Sequence, residues 1–147
     1  MTNERRAVHV LVGLIADSAG RWLVNQRRPG THMAGRWEFP GGKLARGEER
    51  LAALRRELME ELGIEVLTAE PLLELTHDYE DKRVRLDVWR VHAYRGEASG
   101  REGQALRWVP VDELAALPLL EADAPIIEVL RRLDVPAQQS ASKNLTS

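Results

Sequence analysis

The sequence predicts an α+β protein, with a mostly β centre and helices packed against it. Three observations predict this. Short runs of β-branched and aliphatic residues, bounded by Gly, Pro, Asp and Ser, recur along most of the chain. One long stretch, Glu48 to Leu62, instead carries apolar residues at a helical period. There is no internal repeat and no linker long enough to divide domains. One domain over 1–135 is expected, followed by a disordered tail from Pro136 to Ser147 that is polar and poor in apolar residues.

The elements follow in order. Val8 to Ala16 reads as a strand, Asp17-Ser18-Ala19-Gly20 as a turn, and Arg21 to Gln26 as the returning strand of a hairpin. Arg28-Pro29-Gly30-Thr31 is a loop. Trp37-Glu38-Phe39 is short and extended because Pro40 disfavours helix in the residue before it, and Gly41-Gly42 then suggests a turn. Leu51, Leu54, Leu58 and Leu62 form one stripe of a helix over Glu48 to Leu62, with Gly63 where a C-cap belongs. Its start lacks the Ser or Thr of a strong N-cap. Glu65 to Glu74 reads as a strand interrupted at Pro71. The alternation of Val84, Leu86 and Val88 with charged residues extends a strand towards Tyr94. Arg95 to Gln104 is a polar loop, Leu106 to Val109 a short strand, and Asp112 to Leu117 a short helix capped by Asp112. A last helix spans Asp123 to Leu133, with Asp123 as N-cap and Pro125 in its first turn.

Bulk properties narrow the function. The 147 residues are 44% hydrophobic and 30% charged, ordinary for a soluble globular chain. With no cysteine, disulfides, thiolate catalysis and cysteine–zinc sites are excluded. A net charge of −2 gives no general attraction to nucleic acid or anionic membrane. No apolar run reaches the roughly 18 residues of a membrane span, and no small-residue cleavage site follows Val8 to Ala16. A cytoplasmic protein acting on small molecules is expected, with no nucleic-acid, membrane or obligate protein partner.

Chemistry concentrates on the predicted long helix. Glu57, Glu60 and Glu61 are spaced i, i+3, i+4 and share one face. The leucine stripe lies about 110° round the cylinder, at 100° per residue. Three like charges on neighbouring turns weaken an isolated helix, so the cluster makes sense with a cation. Hard oxygen ligands select magnesium, manganese or calcium, and magnesium completes its shell with water and substrate phosphates. Gly41 and Gly42 let backbone approach a metal or phosphate closely, and Arg56 can orient a neighbouring glutamate. Taken alone, three acidic residues on a helix are more often a solvated face.

The whole pattern argues against that bland reading. Gly42, five residues, Glu48, seven residues, then Arg56-Glu57-Leu58, one residue, Glu60-Glu61, one residue, Gly63-Ile64 resembles the signature of the Nudix hydrolase family at every fixed position. The resemblance implies a Nudix fold, a mixed β-sheet sandwiched between α-helices, and hydrolysis of a nucleoside diphosphate linked to another group. It implies that Glu57, Glu60, Glu61 and the carbonyl of Gly41 bind Mg2+, with Mn2+ able to substitute. It also implies that Glu57 or another glutamate, Glu61 among them, is the base that activates water.

The resemblance continues outside the signature and is similar to the MutT branch of that family. Arg27 with His32-Met33-Ala34, Trp37 to Lys43, Arg101-Glu102-Gly103-Gln104 with Trp108, and Glu121 to Ile127 carry it. It implies conversion of 8-oxo-dGTP to 8-oxo-dGMP and pyrophosphate, which sanitises the nucleotide pool. Arg27 and His32 would contact the nucleotide, Glu38, Phe39, Pro40 and Gly41 would line its pocket, and Glu102 would be a further metal ligand or base. Taken singly, Arg27, His32 and Glu102 are ordinary surface residues, and Trp22, Trp37, Trp89 and Trp108 are packing residues. His9, His77 and His92 read as structural or surface groups.

Position 123 departs from the pattern. MutT-type chains have Asn where this one has Asp123. An Asn amide both donates and accepts, which suits 8-oxoguanine, whereas an ionised Asp only accepts. A protonated Asp could do both, and would need a pKa raised by burial. Asp also suits the exocyclic amine of cytosine, and a MutT-like branch acting on CTP and modified cytidine triphosphates carries a similar Asp. A cap for the last helix is the structural alternative. A nucleotide sensor that binds without cutting is a third reading, but such domains usually lose signature glutamates that this chain keeps.

Overall fold

The structure, a computed structural model, describes residues 7–133. The expected tail, Pro136 to Ser147, lies outside them. The chain divides into two compact units, Met1–Leu14 with Pro40–Glu102, and Ile15–Phe39 with Gly103–Ser147.

The first unit is a four-stranded mixed sheet and one helix. Its strands are β1 (Ala7–Leu14), β4 (Gly41–Lys43), β5 (Glu65–Asp78) and β6 (Arg83–Arg95), in the order β4-β1-β6-β5. β1 runs parallel to β6 and antiparallel to β4, and β5 pairs antiparallel with β6. The helix α1 (Arg50–Leu62) buries Ala53, Leu54, Leu58 and Leu62, and Leu58 Cδ1 reaches to 3.0 Å from where a Gly13 Cβ would stand. Burying each leucine stabilises the unit by roughly 1.5–3 kcal/mol. Leu51, expected in the stripe, is only half-buried.

Three expectations in this unit are corrected. Gly41-Gly42 is not a turn but the start of β4. A side chain at Gly41 would run into the Leu11 carbonyl, so the missing Cβ is what lets β4 lie against β1. The helix also starts at Arg50, not Glu48. Glu48 folds back instead, accepting the Ala45 N–H at 3.0 Å. β5 runs four residues beyond its expected end at Glu74, and Pro71 causes a register shift there. The sheet tolerates it because β5 is an edge strand.

The second unit holds a three-stranded sheet in the order β3-β2-β7, from β2 (Trp22–Gln26), β3 (Trp37–Glu38) and β7 (Leu106–Val109), all antiparallel. It also contains α2 (Val111–Leu114), a 3-10 turn over Glu121–Asp123, and helix α3 over 126–133. The backbone of Trp37 is pinned on its far side, its N–H donating to Pro118 at 2.9 Å and its carbonyl accepting from Leu120 at 2.9 Å.

The expected hairpin is only local. Ile15, Ala16 and Asp17 pair back onto Leu23, Trp22 and Arg21, but β1 and β2 belong to different sheets. Asp17 fixes the tip by accepting the N–H groups of Ala19 (3.0 Å) and Arg21 (2.8 Å). Two caps are also corrected. α2 is capped by Pro110, with no side-chain bond from Asp112. Asp123 ends a 3-10 turn and does not cap the last helix; its Oδ2 accepts the Phe39 N–H instead.

Candidate active site

Each unit contributes its own set of candidate residues. In the first, α1 places Glu57 and Glu61 half-buried and Glu60 exposed. Arg56 stands among them as a hub. Its Nε and Nη2 grip both oxygens of Glu48 at 2.7 and 2.8 Å, its Nη1 donates to Glu57 at 3.0 Å and Glu60 at 3.3 Å, and Nη2 also donates to the Lys43 carbonyl at 3.1 Å. The signature arginine thus ties the β4–α1 loop to the helix and holds Glu57 in place, the orienting role expected for it. The same fork drives Glu48 down to a pKa of about 2, through its hydrogen bonds to Arg56 and the Ala45 N–H.

Glu57 behaves differently. Burial raises its pKa, and the negative charges of Glu60 and Glu102 push the same way against the Arg56 bond. Glu102, from the loop after β6, therefore shares the electrostatic environment of Glu57. Glu61 accepts the Gly41 N–H at 3.1 Å. A Cβ at Gly42 would overlap the Glu57 carboxyl, so the signature glycine leaves the space that this carboxyl fills.

The donor set is all oxygen, which fits a hard divalent cation. Among the described residues no three acidic or histidine side chains already form a closed metal cage. All three helix carboxylates already have protein partners, Glu57 and Glu60 at Arg56 and Glu61 at the Gly41 N–H. Magnesium usually takes only one or two carboxylates directly. The electrostatics favour a cation: Glu60 and Glu61 lie in the last turn of α1, which has no basic residue of its own and where the helix dipole disfavours negative charge.

In the second unit Asp123 is the salient group. It is buried, 4% exposed, and its Oδ2 accepts the Phe39 N–H at 2.9 Å. Burial raises its pKa to about 7, with nearby Glu38 adding to the shift and the Phe39 bond and Arg27 opposing it. Arg27 Nη1 reaches Glu38 at 3.2 Å, and its Nε donates to the His32 carbonyl at 2.5 Å. Arg27, His32, Glu38, Phe39 and Asp123 thus form one connected group, although His32 enters it through its backbone and its side chain lies on an exposed loop. Pro40 belongs to the first unit, where its carbonyl accepts the Gly13 N–H at 2.9 Å.

The sequence reading missed a buried polar cluster in the first unit. Asp87, wholly buried, accepts from His9 (2.8 Å), Arg50 Nε (2.6 Å) and Nη2 (2.7 Å), and Trp89 (2.8 Å). Burial alone would raise its pKa, but these bonds outweigh it and hold the carboxylate below its usual value. No local signal marked it, because Asp87 falls on the polar positions of the Val84, Leu86 and Val88 alternation.

Residues 11–129 match the NUDIX domain family, and the chain belongs to that family. It is 34% identical over 128 residues to the 8-oxo-dGTP diphosphatase of Escherichia coli, spanning 87% of this chain and 99% of that one. It is 36% identical over 123 residues to the CTP pyrophosphohydrolase of the same organism, spanning 84% and 91%. Its fold is similar to the crystal structure of the MutT NUDIX hydrolase from Burkholderia pseudomallei, with a TM-score of 0.76, 30% identity, and coverage of 84% and 97%. The α+β class, the mixed sheet and the Nudix fold all stand as expected.

Proposed function

We propose that this protein is a magnesium-dependent nucleoside triphosphate pyrophosphohydrolase that converts 8-oxo-dGTP to 8-oxo-dGMP and pyrophosphate in the cytoplasm. The observation that carries the reading is the Glu57 carboxyl, half-buried, steered by Arg56 and bordered by Glu60 and Glu102. A relative named as an 8-oxo-dGTP diphosphatase, matched along nearly its whole length, supports it.

The chemistry follows from the residues. Glu57, Glu60, Glu61 and the Gly41 carbonyl would hold the cation, which when bound neutralises phosphate oxygens and favours attack on phosphorus. Water attacks phosphorus, the bridging P–O bond between the nucleoside monophosphate and the pyrophosphate breaks, and a glutamate accepts the water's proton. Glu57 suits that task because its raised pKa makes it a stronger base than an ordinary carboxylate; Glu61 and Glu102 are the other candidates. Arg56 keeps Glu57 oriented.

Base recognition falls to Asp123. Its Oδ2 is committed to Phe39, so Oδ1 is the atom offered to a base. With a pKa of about 7, both protonation states are populated near neutrality. The protonated carboxyl can donate to O6 of 8-oxoguanine, and the ionised one can accept from N7–H. Arg27, His32, Glu38, Phe39, Pro40 and Gly41 complete the substrate contacts in this reading. Asp123 equally favours a second reading, hydrolysis of CTP or a modified cytidine triphosphate, because an ionised carboxylate accepts from the cytosine amine; a relative of that name supports it. Pyrophosphate release with magnesium decides between them, by comparing kcat/KM for 8-oxo-dGTP, dGTP, CTP and a 5-substituted dCTP. A preference for 8-oxo-dGTP supports the first reading, a preference for a cytidine triphosphate the second, and no turnover of any would leave a nucleotide sensor.

A further inference from the structure

The loop that carries Glu102 is tied to the end of α1. After β6 it turns at Gly96, whose φ is +101° and where a Cβ would come within 3.2 Å of the Gly63 carbonyl. It then lies across the C-terminus of the helix. The Ser99 N–H donates to the Leu62 carbonyl at 3.0 Å, and the Arg101 N–H donates to the Glu61 carbonyl at 3.1 Å and to Ser99 at 3.0 Å. Carbonyls in the last turn of a helix have no partner within it, so the loop satisfies two that α1 leaves open. The Arg101 side chain completes the strap. It runs over Gly63, where a Cβ would stand 2.7 Å from its Cδ and 2.8 Å from its Nη1. That places a cation at the negative end of a helix whose last turn holds only acidic charge.

We propose that Arg101 is a positioning residue: with the Ser99–Leu62 and Arg101–Glu61 bonds it fixes Glu102, the next residue, against the carboxylates of α1. The proposal rests on the reading that Glu102 takes part in catalysis. The strap fastens the loop to the end of α1 at Glu61, Leu62 and Gly63, on the helix that carries Glu57, Glu60 and Glu61. Gly63 serves it twice, closing the helix in the left-handed region at φ 74° and leaving room for the arginine stem. Without the stem, the backbone bonds remain but the loop loses the contact that presses it onto the helix, and Glu102 samples a wider range. A side chain misplaced by about 1 Å can lose on the order of 100-fold in rate.

The test is a double-mutant cycle on the full chain with 8-oxo-dGTP and magnesium. Glu102→Gln should lower kcat by about 100-fold or more. Arg101→Ala should lower kcat by roughly tenfold while KM stays within about twofold. In the Glu102→Gln background, Arg101→Ala should change kcat by less than about twofold, because the residue it positions no longer acts. Arg101→Lys, which keeps a cation and an aliphatic stem, should recover most of the loss. Wild-type kcat in Glu102→Gln would sink the catalytic reading of Glu102 and the positioning idea with it. A large Glu102→Gln effect with a wild-type Arg101→Ala, or with Arg101→Ala costing the same in both backgrounds, would overturn the positioning idea alone.

Discussion

Asp123 accepts the backbone N–H of Phe39 at 2.9 Å while 4% exposed, a bond spanning 84 residues of sequence. A buried carboxyl held by one neutral donor is poorly compensated as an anion. Its pKa rises accordingly from 3.8 to about 7. The folded protein therefore keeps a proton that the unfolded chain releases. This contribution to stability is fully present below about pH 3.8 and is lost as pH rises through about 7. Asp123→Asn keeps an oxygen for Phe39 and removes the charge. Relative to the parent it should gain on the order of 1–4 kcal/mol between about pH 4 and about pH 8. Urea unfolding at both ends of that range checks this. A constant difference would mean that Asp123 titrates as an ordinary carboxyl. The same variant tests base reading: its kcat/KM ratio between 8-oxo-dGTP and CTP should rise, since the amide can no longer serve as an anion. An equal loss on every triphosphate would assign Asp123 to pocket support.

Glu57 makes a contrasting case, because burial raises its pKa too and the proposed reaction uses it as a base and cation ligand. Glu57→Gln keeps the shape and can retain a bond from Arg56, but removes the charge that a cation or an attacking water needs. Turnover should fall by about 100-fold or more. The thermal midpoint should stay level or rise slightly, since burial disfavours this anion. A folded Glu57→Gln protein with wild-type kcat would remove Glu57 from the reaction. Glu61→Gln, assayed alongside, should also lose most turnover.

Much of this site was legible because its residues are close in sequence. Glu57, Glu60 and Glu61 share a helix face by spacing alone, and Arg56 precedes them at a distance its side chain can bridge. The leucine stripe likewise located the buried face of α1, although the first leucine fell outside it. What could not be read was long-range. Val8 to Ala16 looks like one strand, yet it divides between two sheets after Leu14, and no local propensity marks where a strand changes partners. Asp123 has the composition of an N-cap, and only the fold reveals that Phe39 competes for its oxygen. Asp87 looked like the polar half of an alternating strand until His9, Arg50 and Trp89 converged on it.

The two signature-region glycines should fail in different ways. A Cβ at Gly41 meets the Leu11 carbonyl and a backbone at φ 153°. Neither can yield without separating β4 from β1, so Gly41→Ala should lower stability by roughly 2–4 kcal/mol. A Cβ at Gly42 meets only the end of the Glu57 side chain, 2.6 Å from its Oε2. That side chain can swing aside, so Gly42→Ala should keep its thermal midpoint within a few degrees and lose about 10- to 100-fold in kcat. Thermal unfolding and steady-state kinetics on both variants read the difference. Equal midpoints, or an active Gly42→Ala, would contradict this division.

Asp87 touches neither carboxylate face nor base group yet gathers three elements of the first unit. It takes His9 from β1, Trp89 from its own strand β6, and both nitrogens of the Arg50 fork from the first residue of α1. Arg50 also lies 5.0 Å from the Trp89 ring centroid, in cation–π range. Asp87→Ala would leave the Trp89 N–H buried without this acceptor and release the start of α1. The cost should be about 2–4 kcal/mol, below that of a fully buried pair because Arg50 keeps 42% of its side chain exposed. The sign of the pH effect is opposite to that of Asp123. The folded pKa of Asp87 is depressed, so its contribution is present above the unfolded value of 3.8 and is lost as pH falls through the folded one. The stability gap between parent and Asp87→Ala should therefore be constant from about pH 6 to about pH 8 and shrink in strong acid. A gap that is unchanged into strong acid would show that Asp87 stabilises by packing and not by its charge.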